Sequence, residues 1–306
     1  MIDDLMLRAL ARNAGLRGLA CVTGDLAREA AKRHRATPVV AAVLGQGLTA
    51  AALLGGLLKV QQRVALKIEG DGPLGKLVVE ADAYGRVRGY VAVSDLPAAL
   101  PITQQAIAAA LGRTGLLTVV KDLGLRDLYQ GAVTLQEGGI TASLAHYFQK
   151  SEQTPTIVRI DSAQEADGAL AAAGGLLFQL LPGADPAVLQ QVVGNLAGLP
   201  PLSGLLTAGQ TPEQIMAQAL AGFDYTILEQ HPLAFTCSCS RARSRQALKV
   251  LGADDLLALI VEGEAVIDCH FCHERYIFSR EDLAEVLDEQ EAEALEAMFA
   301  AAAAEA

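Results

Sequence analysis

The sequence predicts an α+β chain with three successive parts: an N-terminal domain of helices packed on an antiparallel sheet, a helical linker and a small C-terminal domain. Three observations support this. β-Branched runs alternate with Gly, Asp and Pro over much of 63–161, helical segments follow Pro182, and two close pairs of cysteines lie near the end. The predicted parts are 1–181, 182–232 and 233–290, followed by an acidic, alanine-rich tail over 291–306.

The first long apolar segment, 36–58, is uncharged between Arg35 and Lys59 and long enough to cross a bilayer. It is rich in Ala and Gly, it contains Pro38 and Gln46, and it has no Trp or Tyr at its ends. These features favour a buried core helix over a membrane span.

An antiparallel meander is predicted next, with strands at 63–69, 76–82 and 86–93. The stretch "EGDGPLG" between the first two strands matches the formal pattern G-x-G-x-x-G of dinucleotide sites. In such sites the third glycine opens a helix, whereas here Pro73 and the alternating "KLVVEAD" continue as a strand. We therefore interpret the stretch as a hairpin turn.

The remaining elements follow from periodicity and from Pro and Gly breaks. In the C-terminal part, the strands "EAVID" and "RYIF" flank a turn that carries cysteines, and Ser279 with Asp282 predicts the start of a final acidic helix. The other predicted strands are 116–120, 130–135 and 156–161, and the other predicted helices are 140–153, 185–197, 211–221, 241–251 and 253–261.

Composition restricts the function classes. The 306 residues are 52% hydrophobic and carry a formal charge of −11, with nine acids and no Lys or Arg after Arg280. An acidic surface repels phosphate backbones, and a chain with no Trp and 4% aromatic residues supplies few stacking platforms, so nucleic acid is not expected as a partner.

The N-terminus has an amphipathic spacing of Leu5, Leu10 and Leu16 without a basic start, which predicts a cytoplasmic protein.

The two cysteine pairs carry the strongest chemical signal. Cys237 and Cys239 form Cys-x-Cys, Cys269 and Cys272 form Cys-x-x-Cys, and 29 residues separate the pairs. Side chains two apart in an extended segment, or three apart in a tight turn, can bind one ion, so the pairs supply four thiolates for a tetrahedral zinc site. A zinc ion would also stabilise a C-terminal part whose own core is small.

Other interpretations of "CHFCH" fit less well. Attachment of a c-type haem requires export, and this sequence has no export signal. A thioredoxin-like pair lies at the start of a helix, whereas strands are predicted on both sides of this pair. His270 and His273 are expected to be turn residues or hydrogen-bond partners of the sulfurs, because the four-thiolate set is complete without them. Cys21, flanked by apolar residues, is assigned no role.

The residues alone leave two hypotheses for the metal. The zinc is either permanent and structural, or held at a site that oxidants open. The cations Arg241, Arg243, Arg245 and Lys249 favour the second hypothesis, because positive charge keeps thiols deprotonated and reactive.

No enzyme is predicted, and no catalytic residue is assigned. The five histidines are scattered and join no Ser/His/Asp set: His34, His146, His231, His270 and His273.

Two stretches around the cysteines, "FTCSCSRARS" and "DCHFCHERYIF", resemble the zinc motifs of a known family. That family is heat-shock protein 33, whose members are redox-regulated holdase chaperones of the bacterial cytosol. "EGDGPLG", "YFQKSEQTPT" and "AAAGGLLFQLLPG" are similar to its N-terminal landmarks, so the resemblance spans nearly the whole chain.

The resemblance implies a mechanism. The reduced protein would hold one Zn²⁺ per chain on Cys237, Cys239, Cys269 and Cys272 and be inactive. Oxidation during stress would form the disulfides Cys237–Cys239 and Cys269–Cys272, release zinc, unfold the C-terminal domain and destabilise the linker. The exposed apolar surface would bind unfolding client proteins, and the active form would be a homodimer.

The alternative from another class is a constitutive zinc-ribbon module that binds a protein partner through its acidic tail and keeps a purely structural metal. The two hypotheses differ in their response to oxidant. The first predicts loss of zinc and new apolar exposure, whereas the second predicts that metal and fold are both retained.

Overall fold

The computed structural model describes residues 3–97 and 100–304, and for 293–304 it describes the helical backbone alone. The chain divides into two compact units, Met1–Cys237 and Ser238–Ala306. Both helices and antiparallel strands occur, so the predicted α+β class is confirmed. The three-part division made from the sequence stays a prediction.

The first unit contains most of the secondary structure. Its strands are β1 (Leu5–Ala11), β2 (Leu16–Val22), β3 (Arg63–Gly70), β4 (Lys76–Asp82), β5 (Arg86–Val91), β6 (Gly115–Asp122), β7 (Tyr129–Thr134), β8 (Thr156–Gln164), β9 (Leu170–Leu180), β10 (Thr226–Pro232) and β11 (Ala234–Phe235). Its helices are α1 (Gly24–Arg33), α2 (Pro38–Gly55), α3 (Gln104–Leu111), α4 (Gly139–Lys150), α5 (Ala187–Ala197), α6 (Leu202–Thr207) and α7 (Pro212–Ala219).

Two sheets organise this unit. The five-stranded sheet has the order β10-β1-β2-β9-β8, and all its neighbours are antiparallel. The six-stranded sheet has the order β11-β5-β4-β3-β6-β7, and it is antiparallel except for the β11–β5 pair. The meander predicted from the sequence is β3-β4-β5, and the "EGDGPLG" stretch is its first turn, where Asp71 accepts hydrogen bonds from the N–H groups of Arg113 and Thr114.

Helix α2 lies in the main apolar core, which also contains residues of both sheets. All but one of its 18 residues are buried, so the core surrounds the helix on every side. A Cβ atom on Gly47 would lie 2.7 Å from a methyl carbon of Leu77, so glycine permits the close approach of β4. The helix is long and apolar enough to cross a membrane, but its burial inside the domain identifies it as the predicted core helix.

Three short helices, α5, α6 and α7, cover the other face of the five-stranded sheet. Apolar residues of these helices form a second core with β1, β2 and β9. Helix α7 begins with a capping box, in which the N–H of Gln214 donates to the Thr211 hydroxyl oxygen and the N–H of Thr211 donates to the Gln214 side-chain oxygen. The predicted linker helices at 185–197 and 211–221 therefore correspond to α5 and α7.

The end of the predicted linker, however, is a strand and not a helix. Strand β10 pairs with β1 from Leu5↔Pro232 to Leu10↔Thr226, with a bulge opposite Arg8/Ala9. Strand β11 then pairs with β5, and the N–H of Thr236 donates to the oxygen of Val87 at 2.9 Å. We call residues 226–236 the strap, because they add an edge strand to each sheet in turn.

The second unit is small. Its elements are α8 (Arg241–Leu248), α9 (Ala253–Glu262), β12 (Glu264–Asp268), β13 (Arg275–Ser279) and α10 (Arg280–Ala304). β12 and β13 form an antiparallel hairpin, as predicted from "EAVID" and "RYIF". Among its described side chains, one apolar cluster forms the core, and its buried members are Leu248, Leu256, Ala265, Phe278, Leu283 and Val286.

Candidate metal centre

Cys237 directly follows the strap. Pairing of β11 with β5 holds the backbone before it, and Arg88 on β5 donates a hydrogen bond from Nη1 to the Cys237 sulfur at 3.6 Å. The same guanidinium donates to Glu80 at 2.6 Å, which fixes its orientation. Burial alone would lower the pKa of Arg88, but its bonds to Glu80 and Cys237 outweigh burial and raise it, so the group stays cationic.

Cys239 lies just before helix α8. Ser240 caps that helix, since its side chain accepts a hydrogen bond from the N–H of Arg243 at 3.2 Å. The Arg243 guanidinium in turn donates to the backbone and side-chain oxygens of Ser238. Tyr276 on β13 donates its hydroxyl to the Cys239 sulfur at 3.2 Å, and this bond is the main reason that the pKa of the phenol is raised.

Cys269 and Cys272 lie in the turn between β12 and β13. The N–H of Cys269 donates to the oxygen of Glu274 at 2.9 Å, and the N–H of His273 donates to the oxygen of Cys269 at 2.8 Å. His273 adopts a left-handed conformation with φ of 57°, which closes the turn. Local backbone geometry therefore brings both thiols of the Cys-x-x-Cys pair to one side.

The four sulfurs form a compact cluster. Those of Cys237, Cys239, Cys269 and Cys272 all lie within 4.8 Å of one another, and the Cys239 and Cys272 sulfurs are 3.3 Å apart. A tetrahedral site with zinc–sulfur bonds of ~2.3 Å places its sulfurs about 3.8 Å apart, so this donor set fits a zinc ion. Cys272 is buried and the others are half-buried, which restricts the access of water and chelators.

Three of the four cations that follow the Cys-x-Cys motif form ion pairs with acidic residues of α10. Arg241 pairs with Asp282 at 2.8 Å and lies over the Phe278 ring, while Arg245 and Lys249 both pair with Glu289 on α10. These contacts tie α8 to α10. Arg88 and Tyr276 contact the sulfurs directly and were not predicted from the sequence. Arg88 is 149 residues from Cys237 in the chain, so no local pattern signals it.

The other residues singled out in the sequence lie outside the cluster. Neither His270 nor His273 belongs to the group of described side chains that is close enough to share one ion. Cys21 is 3% exposed on β2, and burial raises the pKa of its thiol well above the ordinary range. A buried, protonated thiol of this kind is unreactive.

Comparisons with known proteins agree with one another. The family model described as Hsp33 protein matches residues 4–279. The chain is 45% identical to the 33 kDa chaperonin of Geobacter sp. (strain M21), over 94% of this chain and 98% of the relative, and 38% identical to that of Halalkalibacterium halodurans, over 94% and 100%.

A solved structure is also similar to this chain. The crystal structure of the 33 kDa chaperonin (heat shock protein 33 homolog) from Thermotoga maritima is similar with a TM-score of 0.86 and 29% identity, over 94% of this chain and 99% of that one. Sequence and fold both match over nearly the full length. The chain therefore belongs to the Hsp33 family of chaperones.

Proposed function

We propose that this protein is a redox-regulated holdase, a chaperone that binds unfolding proteins without chemical turnover and is switched on by oxidation. The cluster of four sulfurs within 4.8 Å, in a chain of the Hsp33 family, is the observation that carries the proposal. The relatives are named chaperonins, a non-enzymatic role, and we assign no catalytic residue.

In the reduced state we assign the sulfurs of Cys237, Cys239, Cys269 and Cys272 as the ligands of one zinc ion. Bound zinc would supply positive charge that keeps the thiolates deprotonated and a cross-link that holds the turn and α8 together. Arg88 and Tyr276 add hydrogen bonds to two of the sulfurs and orient them. The resting protein is inactive in this proposal.

Oxidation removes the ligands. In each pair, two thiolates give two electrons to hydrogen peroxide and an S–S bond forms. The O–O bond of the peroxide breaks, and with two protons from solvent its oxygens leave as two water molecules. We propose the pairings Cys237–Cys239 and Cys269–Cys272, because the family resemblance implies them. A disulfide is a weak metal ligand, so the oxidised site no longer retains zinc.

Loss of the metal then destabilises the second unit. The apolar core of Ser238–Ala306 has six buried members among its described side chains, which is too few to stabilise the unit without a cross-link. Unfolding of this unit would release the chain that follows the strap. We propose that the linker helices α5–α7 then loosen and uncover the apolar face that they share with β1, β2 and β9.

That uncovered face is our proposed surface for unfolding clients. We further propose that the active form is a homodimer, and that the protein works in the bacterial cytoplasm during oxidative stress without nucleic acid or membrane partners. An acidic net charge of −11 supports the absence of nucleic acid.

The test measures four quantities on one sample before and after peroxide at mildly elevated temperature: zinc, thiols, disulfide pairing and suppression of aggregation of an unfolding reporter enzyme. We expect about one zinc per chain to leave while four thiols disappear and suppression begins. Disulfide mapping is needed because Cys239 and Cys272, which belong to different pairs, lie 3.3 Å apart. Retention of zinc and thiols without suppression would favour the constitutive zinc module.

A matched pair of variants separates the switch from general effects of oxidation. Cys269→Ser with Cys272→Ser removes two ligands, and we expect weak metal binding and suppression that no longer depends on peroxide. Cys21→Ala changes a buried thiol outside the cluster and is expected to keep the peroxide dependence of the parent.

A further inference from the structure

The strap covers an interaction surface, the edge of β1, that the proposed switch would uncover. Its first strand, β10, is the edge strand of the five-stranded sheet, and β1 is the neighbouring strand to which it is hydrogen-bonded. The inference below rests on the proposed function, because it concerns the oxidised, metal-free protein. It concerns a second binding site for unfolding clients, separate from the apolar face under α5–α7.

Side-chain burial contributes little to holding β10 in place. Six of its seven residues are exposed, including Ile227 at 45% and Leu228 at 55%. Its side chains make a salt bridge between Glu229 and Arg8 and a hydrogen bond from Gln230 to Glu213. Backbone pairing therefore supplies most of the attachment, and such a strand opens at low free energy.

The downstream end of the strap is attached more firmly. Leu233 is buried in the main core, Phe235 packs beneath the Arg33 guanidinium, and Arg88 contacts Cys237. Oxidation of Cys237 replaces a thiolate by a neutral disulfide sulfur, which is a weaker acceptor for Arg88. The last of these attachments is thus lost in the same step that removes the metal ligands.

Strand β1 behaves differently. Four of its seven residues are buried, and antiparallel pairing with β2 runs along its whole length, from Leu5↔Val22 to Ala11↔Leu16. Departure of β10 would leave β1 in place with a row of unpaired N–H and C=O groups. Such an edge is a ready template for another extended chain.

We propose that β10 is a displaceable edge strand, and that in the oxidised protein the edge of β1 binds an extended segment of an unfolded polypeptide as an added antiparallel strand. Main-chain hydrogen bonds supply the affinity, which suits a chaperone that accepts many sequences. Arg8, which faces Glu229 in the present pairing, gives a preference for an acidic side chain at the opposing position.

Charge argues against a second copy of this chain as the occupant. Two β1 strands paired antiparallel about their middle would place Arg8 directly opposite Arg8, and a shift by two residues would leave the two cations diagonal. Like charges in these positions destabilise a strand pair. An unfolded polypeptide can instead present an acid or a neutral residue there.

The probe is a fluorescent peptide with the sequence of residues 225–235, "YTILEQHPLAF", added to the full-length protein. We expect anisotropy to show binding to the peroxide-treated, metal-free form and at least tenfold weaker binding to the reduced, zinc-loaded form, in which β10 occupies the edge. Excess unlabelled peptide should lower the suppression of reporter aggregation. Binding of equal strength to both forms would overturn the proposal.

Two backbone variants of the peptide test for strand pairing. Neighbouring residues of a strand direct their N–H groups to opposite edges, so one of the amides at Glu229 and Gln230 faces β1 and the other faces away. N-methylation at one of these positions should weaken binding about tenfold or more, and at the other it should have little effect. Equal effects of the two N-methyl groups would overturn the proposal, because side-chain contacts are the same in both peptides.

A charge exchange tests the register. Arg8→Glu should weaken binding of the parent peptide, and a peptide carrying Glu229→Lys should restore it. Sedimentation of the same samples examines the other occupant, because dissociation of an oxidised dimer by the peptide would assign the edge to a second copy and overturn our choice of a client. Failure of the charge exchange to restore binding would overturn the register.

The design separates this inference from the proposed function. Release of zinc with suppression of aggregation, but without peptide binding, would contradict the β1 edge alone. Retention of zinc without suppression would contradict both.

Discussion

At the scale of single residues, contacts distant in sequence orient the candidate ligands. Arg88 on β5 contacts the sulfur of Cys237, and Tyr276 contacts that of Cys239. Such partners tune metal sites because they fix the orientation and the charge of a ligand. Cys21 has the opposite environment, in which burial raises the pKa of the thiol, and we give it no role in the proposed switch.

Replacement of Arg88 tests the orientation of Cys237. We expect Arg88→Gln to weaken zinc affinity about tenfold, measured by competition with a chromogenic chelator under reducing conditions. Arg86→Gln is the matched control, because Arg86 lies on the same strand and pairs with Asp82 instead of a cysteine. Equal affinities of the two variants would show that the contact with sulfur has no effect on the metal.

Asp4 gives a pH-dependent prediction. Its carboxylate accepts hydrogen bonds from the N–H groups of Asp25 and Leu26 at the start of α1, yet burial dominates and raises its pKa from 3.8 to about 6. A raised pKa means that the folded state binds more protons between these values, so the stabilising contribution is complete below pH 3.8 and is lost as the pH rises through 6.

We therefore expect the unfolding free energy of the wild type to fall relative to that of Asp4→Asn by about 2 kcal/mol between pH 4 and pH 7. Urea unfolding of the reduced protein at several pH values measures this slope. The amide loses an acceptor at every pH, so the slope and not the offset is informative. A relative gain by the wild type with rising pH would mean that the start of α1 stabilises the carboxylate more than burial opposes it.

At the scale of elements, periodicity explains which ones the sequence predicts. The strands of the meander alternate, and each begins at its predicted residue and ends within two residues of its predicted end. By contrast, β9 is buried at ten of eleven positions and contains adjacent glycines, so it shows no alternation and was not predicted. Strand β10 is exposed almost throughout, and pairing with β1 makes it a strand.

Two glycines in helices give opposite predictions. A Cβ atom on Gly47 would lie 2.7 Å from Leu77, so Gly47→Ala should destabilise the first unit by about 1–3 kcal/mol. Gly194 on α5 has open space, so Gly194→Ala should stabilise by about 0.5–1 kcal/mol through helix propensity. Thermal unfolding of both variants measures the difference. A stabilised Gly47→Ala would show that α2 and β4 can separate without loss.

At the scale of the whole molecule, the division between Cys237 and Ser238 falls inside the Cys-x-Cys motif. The first unit has two large apolar cores, while the second has one small cluster among its described side chains. In the proposed mechanism, this difference in core size predicts that only the second unit depends on a bound metal for its stability.

Removal of the metal tests that asymmetry. A chelator added to the reduced protein should increase hydrogen exchange in α8, β12 and β13 by at least tenfold, while β3, β4 and α2 keep their protection. Zinc added back should restore the slow exchange. Unchanged exchange in the second unit would show that its apolar cluster is sufficient without a metal.

The sequence by itself determined the α+β class, the meander, the core helix and the four cysteines, because each depends on local periodicity or on short spacings. Tertiary structure decided how these parts are used. It brought Arg88 and Tyr276 to the sulfurs, and it turned the end of the predicted helical linker into an edge strand on β1. The physical reason is that such contacts join residues far apart in the chain, where burial and pairing with a distant strand override local preference.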